Sequence, residues 1–420
     1  MHPDFEHSLT KYADLIVRVG LNLQPGQRLL ISGPATSGGV SIEAAPLVRK
    51  VADSAYCLGA PLVEVLWSDP AITKRRFELA PADSFGEFPV APPYVTTTTI
   101  DRGDAVLVIT ADDPDLLAGQ DAARLSAAQR AVAENMAGVS ARISSNKTNW
   151  CVAGAATPAW GERVFPGLTG ADAETQLWDA IFHTCRVYSA DPVAAWQTHL
   201  ARLAAWRETL NARQYDALRL RGEGTDLTIG LPKGHRWASG AMNNAAGVPF
   251  TANLPTEEVF TLPDRARVDG TVRATKPLSY GGALIDDFSI TFAGGRVVDY
   301  QARYGEDLLG SLIETDEGAA RLGEIALVPH SSPISQSGLM FYNTLFNENA
   351  SSHIALGRAY KFSLEGGTSL PDDEFRARGG NLSRIHIDFM IGSETMDVDG
   401  LTADRRAEPL MHGGEWTFES

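Results

Sequence analysis

The chain has 420 residues, of which 44% are hydrophobic and 21% charged, with a formal net charge of −16. That length and composition allow two ordinary domains and a substantial core. The acidic balance argues against a binder of nucleic-acid phosphates or of anionic membranes, since both carry a basic footprint.

Helical and strand signals alternate through the first half. Tyr12, Leu15, Ile16 and Val19 recur at helical spacing, and "PGQ" then breaks the chain before the short apolar run "RLLISG". A second helix is expected from Ile42 to about Leu58, followed by the strand-like "LVEVLW". "DAVLVIT" is another continuous apolar run, with the helix-forming "AARLSAAQRAVAENMAG" after it. Such runs, bounded by turns and alternating with helices, predict an α/β domain built on a mainly parallel sheet. "GPATSGG" follows a strand but lacks both the GxGxxG order and the lysine ending of a phosphate loop, so it is read as a turn.

"DPVAAWQTHLARLAAWRETLNAR" reads as a long helix, with Asp191 as cap before Pro192. After it short strands and Gly/Asp/Pro turns dominate, beginning with a hairpin in "YDALRLRGEGTDLTIGLP". The boundary is placed near residue 212, giving an α/β domain over 1–212 and a β-rich α+β domain over 213–420. The three cysteines, Cys57, Cys151 and Cys185, form no CxxC pair, and the N-terminus has no signal-peptide pattern. No run reaches the roughly 18 apolar residues of a membrane span. A reducing, cytoplasmic setting is expected.

Four stretches of the second half place ionisable groups where a plain fold does not need them. In "NLPTEEVFTLP", Glu257 and Glu258 interrupt an apolar segment, and adjacent residues of a strand face opposite ways. In "RLGEIALVPH", Glu324 shares a strand face with the small Ala326. In "NENASSHIALGRAY", His353 lies among small and apolar residues, with Tyr360 seven positions on. In "RIHIDFMIG", His386 and Asp388 alternate with Ile385, Ile387 and Phe389, so they share one face. Each stretch alone has an ordinary structural explanation. Together they make an oxygen/nitrogen ligand set that suits zinc, cobalt or manganese better than calcium, with more ligands than one catalytic zinc needs. His330 and His412 read as solvated, and His183 and Cys185 do not face each other on a helix.

At these residues the sequence resembles the aminopeptidase T / aminopeptidase S family of metallopeptidases. "NLPTEEVFT", "LGEIALV", "NENASSHIALGRAY" and "RIHIDFMIGS" stand in the family's order, and "GTDLTIGLP" and "GHRW" are also similar. The resemblance runs from "YADLIVRVGLNLQPGQ" to the C-terminal "GGEW". It implies a cytoplasmic, homodimeric, metal-dependent aminopeptidase acting on peptides with a free N-terminus. It further implies Glu258, Glu324, His353, His386 and Asp388 as ligands of two divalent ions, zinc or cobalt before manganese or magnesium. Tyr360 carries over as a catalytic residue outside the ligand set, expected to donate to the oxyanion. Adjacency to Glu258 makes Glu257 the expected general base, provided the chain is bulged there. The rival readings are a two-metal phosphoesterase, for which Arg358 and Arg384 flank the proposed ligands, and a non-catalytic metal-binding protein. A nicotinamide-dependent oxidoreductase is disfavoured by the missing dinucleotide glycine pattern.

Overall fold

In the opening helix, Phe5–Leu15, Leu9, Tyr12, Ala13 and Leu15 line one buried face. Its continuation, Ile16–Gly20, widens to five-residue bonding, with the Leu21 N–H donating to Ile16 O at 2.8 Å. The computed structural model describes residues 4–280 and 283–418.

The continuous apolar runs form a parallel sheet. Its spatial order is Asn253–Leu254, Trp150–Gly154, Ala105–Thr110, Leu29–Ser32, Val63–Val65. Leu29, Leu30, Ile31, Ala105, Val106 and Leu107 are all buried, as strands covered on both faces require. The helices Ala45–Cys57, Ala122–Ser144 and Gly170–Thr184 connect and flank the strands in sequence. The long helix Pro192–Arg213 starts where expected, with Asp191 Oδ1 accepting from the Ala194 N–H at 3.1 Å.

The chain falls into two compact units. One comprises Met1–His199, Ala241–Pro255 and Met340–Leu345, and the other Leu200–Gly240, Thr256–Leu339 and Phe346–Ser420. A single cut near residue 212 leaves out the two segments that return to the first unit. Asn253–Leu254 returns because it pairs with Val152 and Ala153 as a further parallel strand. In Met340–Leu345, Asn343 Nδ2 donates to Thr110 Oγ1 at 2.7 Å.

The second unit is built on antiparallel sheets. The hairpin Ala217–Gly222 and Thr225–Gly230 belongs to a nine-stranded antiparallel sheet. A five-stranded antiparallel sheet runs His386–Met390, His353–Gly357, Leu322–Leu327, Val259–Thr261, Ala238–Ser239. One face of this smaller sheet presents Val259, Ile325, Leu327, Ile354, Leu356, Ile387 and Phe389. These join Leu218, Leu220, Ile229, Phe288 and Ile290 of the larger sheet in one buried core. Full burial of each such side chain contributes roughly 1.5–3 kcal/mol, so this face fixes the sheet's register and leaves the other face for chemistry. No helix among the described residues is long and apolar enough to cross a membrane.

Candidate metal centre

Alternation places the ionisable residues together. Ala326 pairs with His353, Ala355 with Asp388, Gly357 with His386, and Phe260 with Ala326. Directly paired residues share a face, and so do residues two apart on one strand. Glu324, His353, His386 and Asp388 therefore project from the same side of the sheet, with only the methyl groups of Ala326 and Ala355 between them. Glu257 and Glu258 lie just before the Val259–Thr261 strand rather than inside it, and Glu258 turns to the site.

One irregularity makes this possible. Leu322 pairs with Leu356, but Glu324 pairs with Ala355, so Gly323 is an extra residue in its strand. Without it Leu322 and Glu324 would share a face. The bulge leaves Leu322 in the core and turns Glu324 over to the site. Only glycine fits there, because a Cβ would lie 2.4 Å from the carbonyl oxygens of both Gly357 and Arg358.

His353 Nε2 lies 3.2 Å from Glu258 Oε2 and 3.6 Å from Glu324 Oε1. His386 Nε2 lies 3.7 Å from Glu324 Oε2 and 3.4 Å from Asp388 Oδ1. Glu258, Glu324 and His353 thus form one group and Glu324, His386 and Asp388 a second, each with its ligand atoms within 4.8 Å of one another. Glu324 belongs to both and turns a different oxygen to each. Two buried oxygens, Glu258 Oε2 and Asp388 Oδ1, have no hydrogen-bond partner despite the imidazoles beside them. Buried carboxylate oxygens without donors are costly. Divalent cations satisfy them, and the donor set, carboxylate oxygens with imidazole nitrogens, fits such ions.

The imidazoles are oriented for the same task. His353 Nδ1 is 3.1 Å from Ser351 O, and His386 Nδ1 is 2.6 Å from Arg358 O. A carbonyl can only accept, so each Nδ1 carries its proton and each Nε2 faces the carboxylates. This is the outer-shell arrangement that fixes metal-ligating histidines.

Electrostatics reinforce the picture. Burial lowers the affinity of His386 for a proton, but Asp388 and Glu324 outweigh it and raise its pKa to about 10. His353 is likewise raised well above the ordinary histidine value, with burial opposed by Glu258 and Glu324. Burial raises Glu324, and burial of Asp388 is outweighed by His386, which holds it below the usual range. Without an ion, protons on the Nε2 atoms balance the carboxylates.

Tyr360, half-buried, packs its ring 5.0 Å from that of His386 and stacks on Phe362 at 5.2 Å. Burial, then Glu324, Asp388 and Glu348, hold its phenol protonated well above its ordinary pKa. His353 opens the His353–Gly357 strand and Tyr360 lies beyond the strand's end, so neither a helical nor a continuous-strand relation between the two applies. Glu257 is buried, its N–H donates to Asn349 Oδ1 at 2.8 Å, and it belongs to neither ligand group.

Sequence reasoning missed Glu348. Its carboxyl is pushed well above the ordinary range, first by burial and then by Glu258 and Asp388. It stands in a short helical turn, Glu348–Ala350, where no strand alternation points to it; only its place in "NENASSH" is a signal. The other candidates fall elsewhere. Arg384 is largely exposed, donating to Thr315 O and lying 3.5 Å from Asp316, and His412 is exposed beside Asp397. His183 is exposed whereas Cys185 is buried.

A β-sheet face bearing two carboxylate–imidazole groups joined by a shared glutamate is the donor set of a divalent-metal protein. The thermophilic metalloprotease (M29) family profile matches residues 5–416, and the chain belongs to that family. It is 45% identical over 415 residues to Aminopeptidase 2 of Geobacillus stearothermophilus, covering 99% of each chain. It is 43% identical over 412 residues to Aminopeptidase T of Thermus thermophilus, covering 98% of this chain and 99% of that one. The solved structure of wild-type AmpT from Thermus thermophilus superposes with a TM-score of 0.92 at 43% identity, covering 99% of this chain and 100% of that one.

Proposed function

We propose that this chain is a metal-dependent aminopeptidase that removes N-terminal residues from peptides at a two-ion centre. The observation that carries the two-ion reading is the sharing of Glu324 between two groups, one oxygen toward His353 and the other toward His386. Glu258, Glu324 and His353 would hold one divalent ion, and Glu324, His386 and Asp388 the other, with zinc or cobalt favoured by the mixed donors. When bound, such ions lower the pKa of an attacking water, polarise the scissile carbonyl and stabilise the developing oxyanion.

The protein's own groups supply the rest. The Tyr360 hydroxyl, kept protonated, donates a hydrogen bond to the oxyanion as the water oxygen bonds to the carbonyl carbon. As the C–N bond breaks, the leaving amine needs a proton, and the water must lose one. Glu257 is the carrier expected by adjacency; Glu348, whose carboxyl is held above the ordinary range by burial and by Glu258 and Asp388, is proposed in its place. In this reading the β-rich unit is the catalytic one, and the protein is a cytoplasmic homodimer. The three cysteines, exposed Cys57 and buried Cys151 and Cys185, include no CxxC pair, which supports the reducing location.

The test is hydrolysis of leucyl-p-nitroanilide by chelator-stripped protein before and after cobalt or zinc is restored, with metal counted per chain. Loss on stripping, recovery on addition and two ions per chain are expected. Activity that survives complete stripping would end the metal-dependent reading, and full activity at one ion per chain would end the two-ion reading.

A further inference from the structure

The ligands come from four separate stretches of chain, and something must set the distances between them. The turn just before His353 touches the other three. Asn349 Oδ1 accepts from the Glu257 N–H at 2.8 Å, fixing the backbone one residue before Glu258. The Ser352 hydroxyl accepts from the Val328 N–H at 3.0 Å and lies 3.2 Å from Val328 O, pinning the end of the strand that carries Glu324. The Ser351 hydroxyl accepts from the Gly392 N–H at 3.1 Å, pinning the chain just past the strand that carries His386 and Asp388. The backbone carbonyl of Ser351 is also the acceptor for His353 Nδ1.

These contacts are closely built. Asn349, Ser351 and Ser352 are all buried. Gly392 approaches so near that a Cβ on it would lie 2.6 Å from Ser352 N. The inter-strand ladder between Leu322–Leu327 and His353–Gly357 reaches Ala326 and His353, and the Ser352 hydroxyl takes over where it stops. On the other side the Ser352 carbonyl accepts from the Ile391 and Gly392 N–H groups, and the Ser351 hydroxyl adds to the second of these. At the Val328 junction a side-chain bond thus substitutes for a ladder bond, beside His353.

We propose that residues 349–352 form the alignment hub of the metal centre, with Asn349, Ser351 and Ser352 as positioning residues that each hold a different ligand-bearing segment at the distance the ions require. None of the three touches the reacting atoms. Their hydroxyl and amide groups act by keeping Glu258, Glu324, and the His386/Asp388 pair in register with His353. The inference rests on the ligand assignment above, not on the peptidase reading.

The experiment titrates metal-depleted full-length protein with Co²⁺, following binding, the visible absorption band of the bound ion and the thermal midpoint of the metal-free form. Asn349→Ala, Ser351→Ala and Ser352→Ala should each weaken Co²⁺ binding about 10–100-fold, the range for outer-shell partners, and shift the band. Ser351→Thr and Ser352→Thr, which keep the hydroxyl, should restore both. Should an alanine variant not fold, threonine against valine at the same position decides, because the two match in shape and differ only in the hydroxyl. Unaltered affinity and band in the alanine variants, or equal losses for threonine and valine, would overturn the proposal. Wild-type protein that binds no Co²⁺ overturns the ligand assignment and this inference with it. Wild-type protein that binds Co²⁺ normally but cleaves no peptide overturns only the peptidase reading.

Discussion

Glu324 and His386 face each other across the one intervening strand, His353–Gly357, Oε2 to Nε2 at 3.7 Å, while the other oxygen of the same carboxylate sits 3.6 Å from His353 Nε2. Removing this one side chain should therefore disturb both ligand groups. Glu324→Ala is expected to lose both ions and to lower turnover by more than roughly 100-fold, beyond the range for outer-shell partners. Asp388→Asn should weaken one ion and spare the other. Metal analysis of the two purified variants distinguishes these outcomes. A Glu324→Ala protein that retains one full equivalent of tightly bound metal contradicts the shared-ligand arrangement.

The Gly323 bulge gives a second prediction. Gly323→Ala drives a methyl against the carbonyls of Gly357 and Arg358, and the local shift should cost about 1–3 kcal/mol, as overpacking does. Because the same residue sets the phase of Glu324, metal affinity should fall together with the thermal midpoint. An alanine variant with unchanged stability and metal content would show that the bulge does not govern Glu324.

Metal binding should release protons. In the ion-free protein the neighbouring carboxylates raise His386 to about 10 and hold His353 well above the ordinary histidine value, which favours a proton on each Nε2. An incoming ion takes that lone pair, and roughly two protons leave per loaded centre. The sign follows: affinity rises with pH across the neutral range and weakens as pH falls. Calorimetry in buffers of different ionisation enthalpy counts the protons. A heat of binding independent of the buffer is the contrary result.

Tyr360→Phe removes a hydroxyl and little else, since the ring still stacks on Phe362. Turnover should fall about 10²–10³-fold, the cost of losing an oxyanion donor, with KM and metal content close to wild type. Glu348→Gln should abolish most turnover, whereas Glu257→Gln should leave more of it. The reverse order of the two glutamine variants would return the proton-transfer role to Glu257.

Much of this centre was legible in the sequence because strands write their faces in steps of two. The alternation of "RIHIDFMIG" and of "GEIAL" is what the structure displays, polar residues toward the site and Ile325, Leu327, Ile387 and Phe389 in the core. The parallel sheet was legible for a related reason, its strands being continuous apolar runs. What local pattern could not carry was pairing between distant segments. The return of Asn253–Leu254 to the parallel sheet depends on a partner far away in sequence. The bulge at Gly323 is invisible until the pairing with Leu356 and Ala355 is known. Glu348 sits in a turn without periodicity, and adjacency drew attention to Glu257 instead.

The order of strands in the smaller sheet carries one more consequence. Leu322–Leu327 and His353–Gly357 are interior strands, each held by a neighbour on both sides, whereas His386–Met390 is at the edge. Glu324 and His353 thus come from strands paired on both sides, and His386 and Asp388 from the sheet's margin. The two ions should not be equivalent guests. The Glu258/Glu324/His353 position should fill first and exchange slowly, and the His386/Asp388 position last and exchange quickly. At scarce metal the molecule would persist as a half-loaded form, and its activity would track the free-ion concentration through the weaker position alone. A titration showing two separated steps is expected, and a single step for both ions would refute the hierarchy.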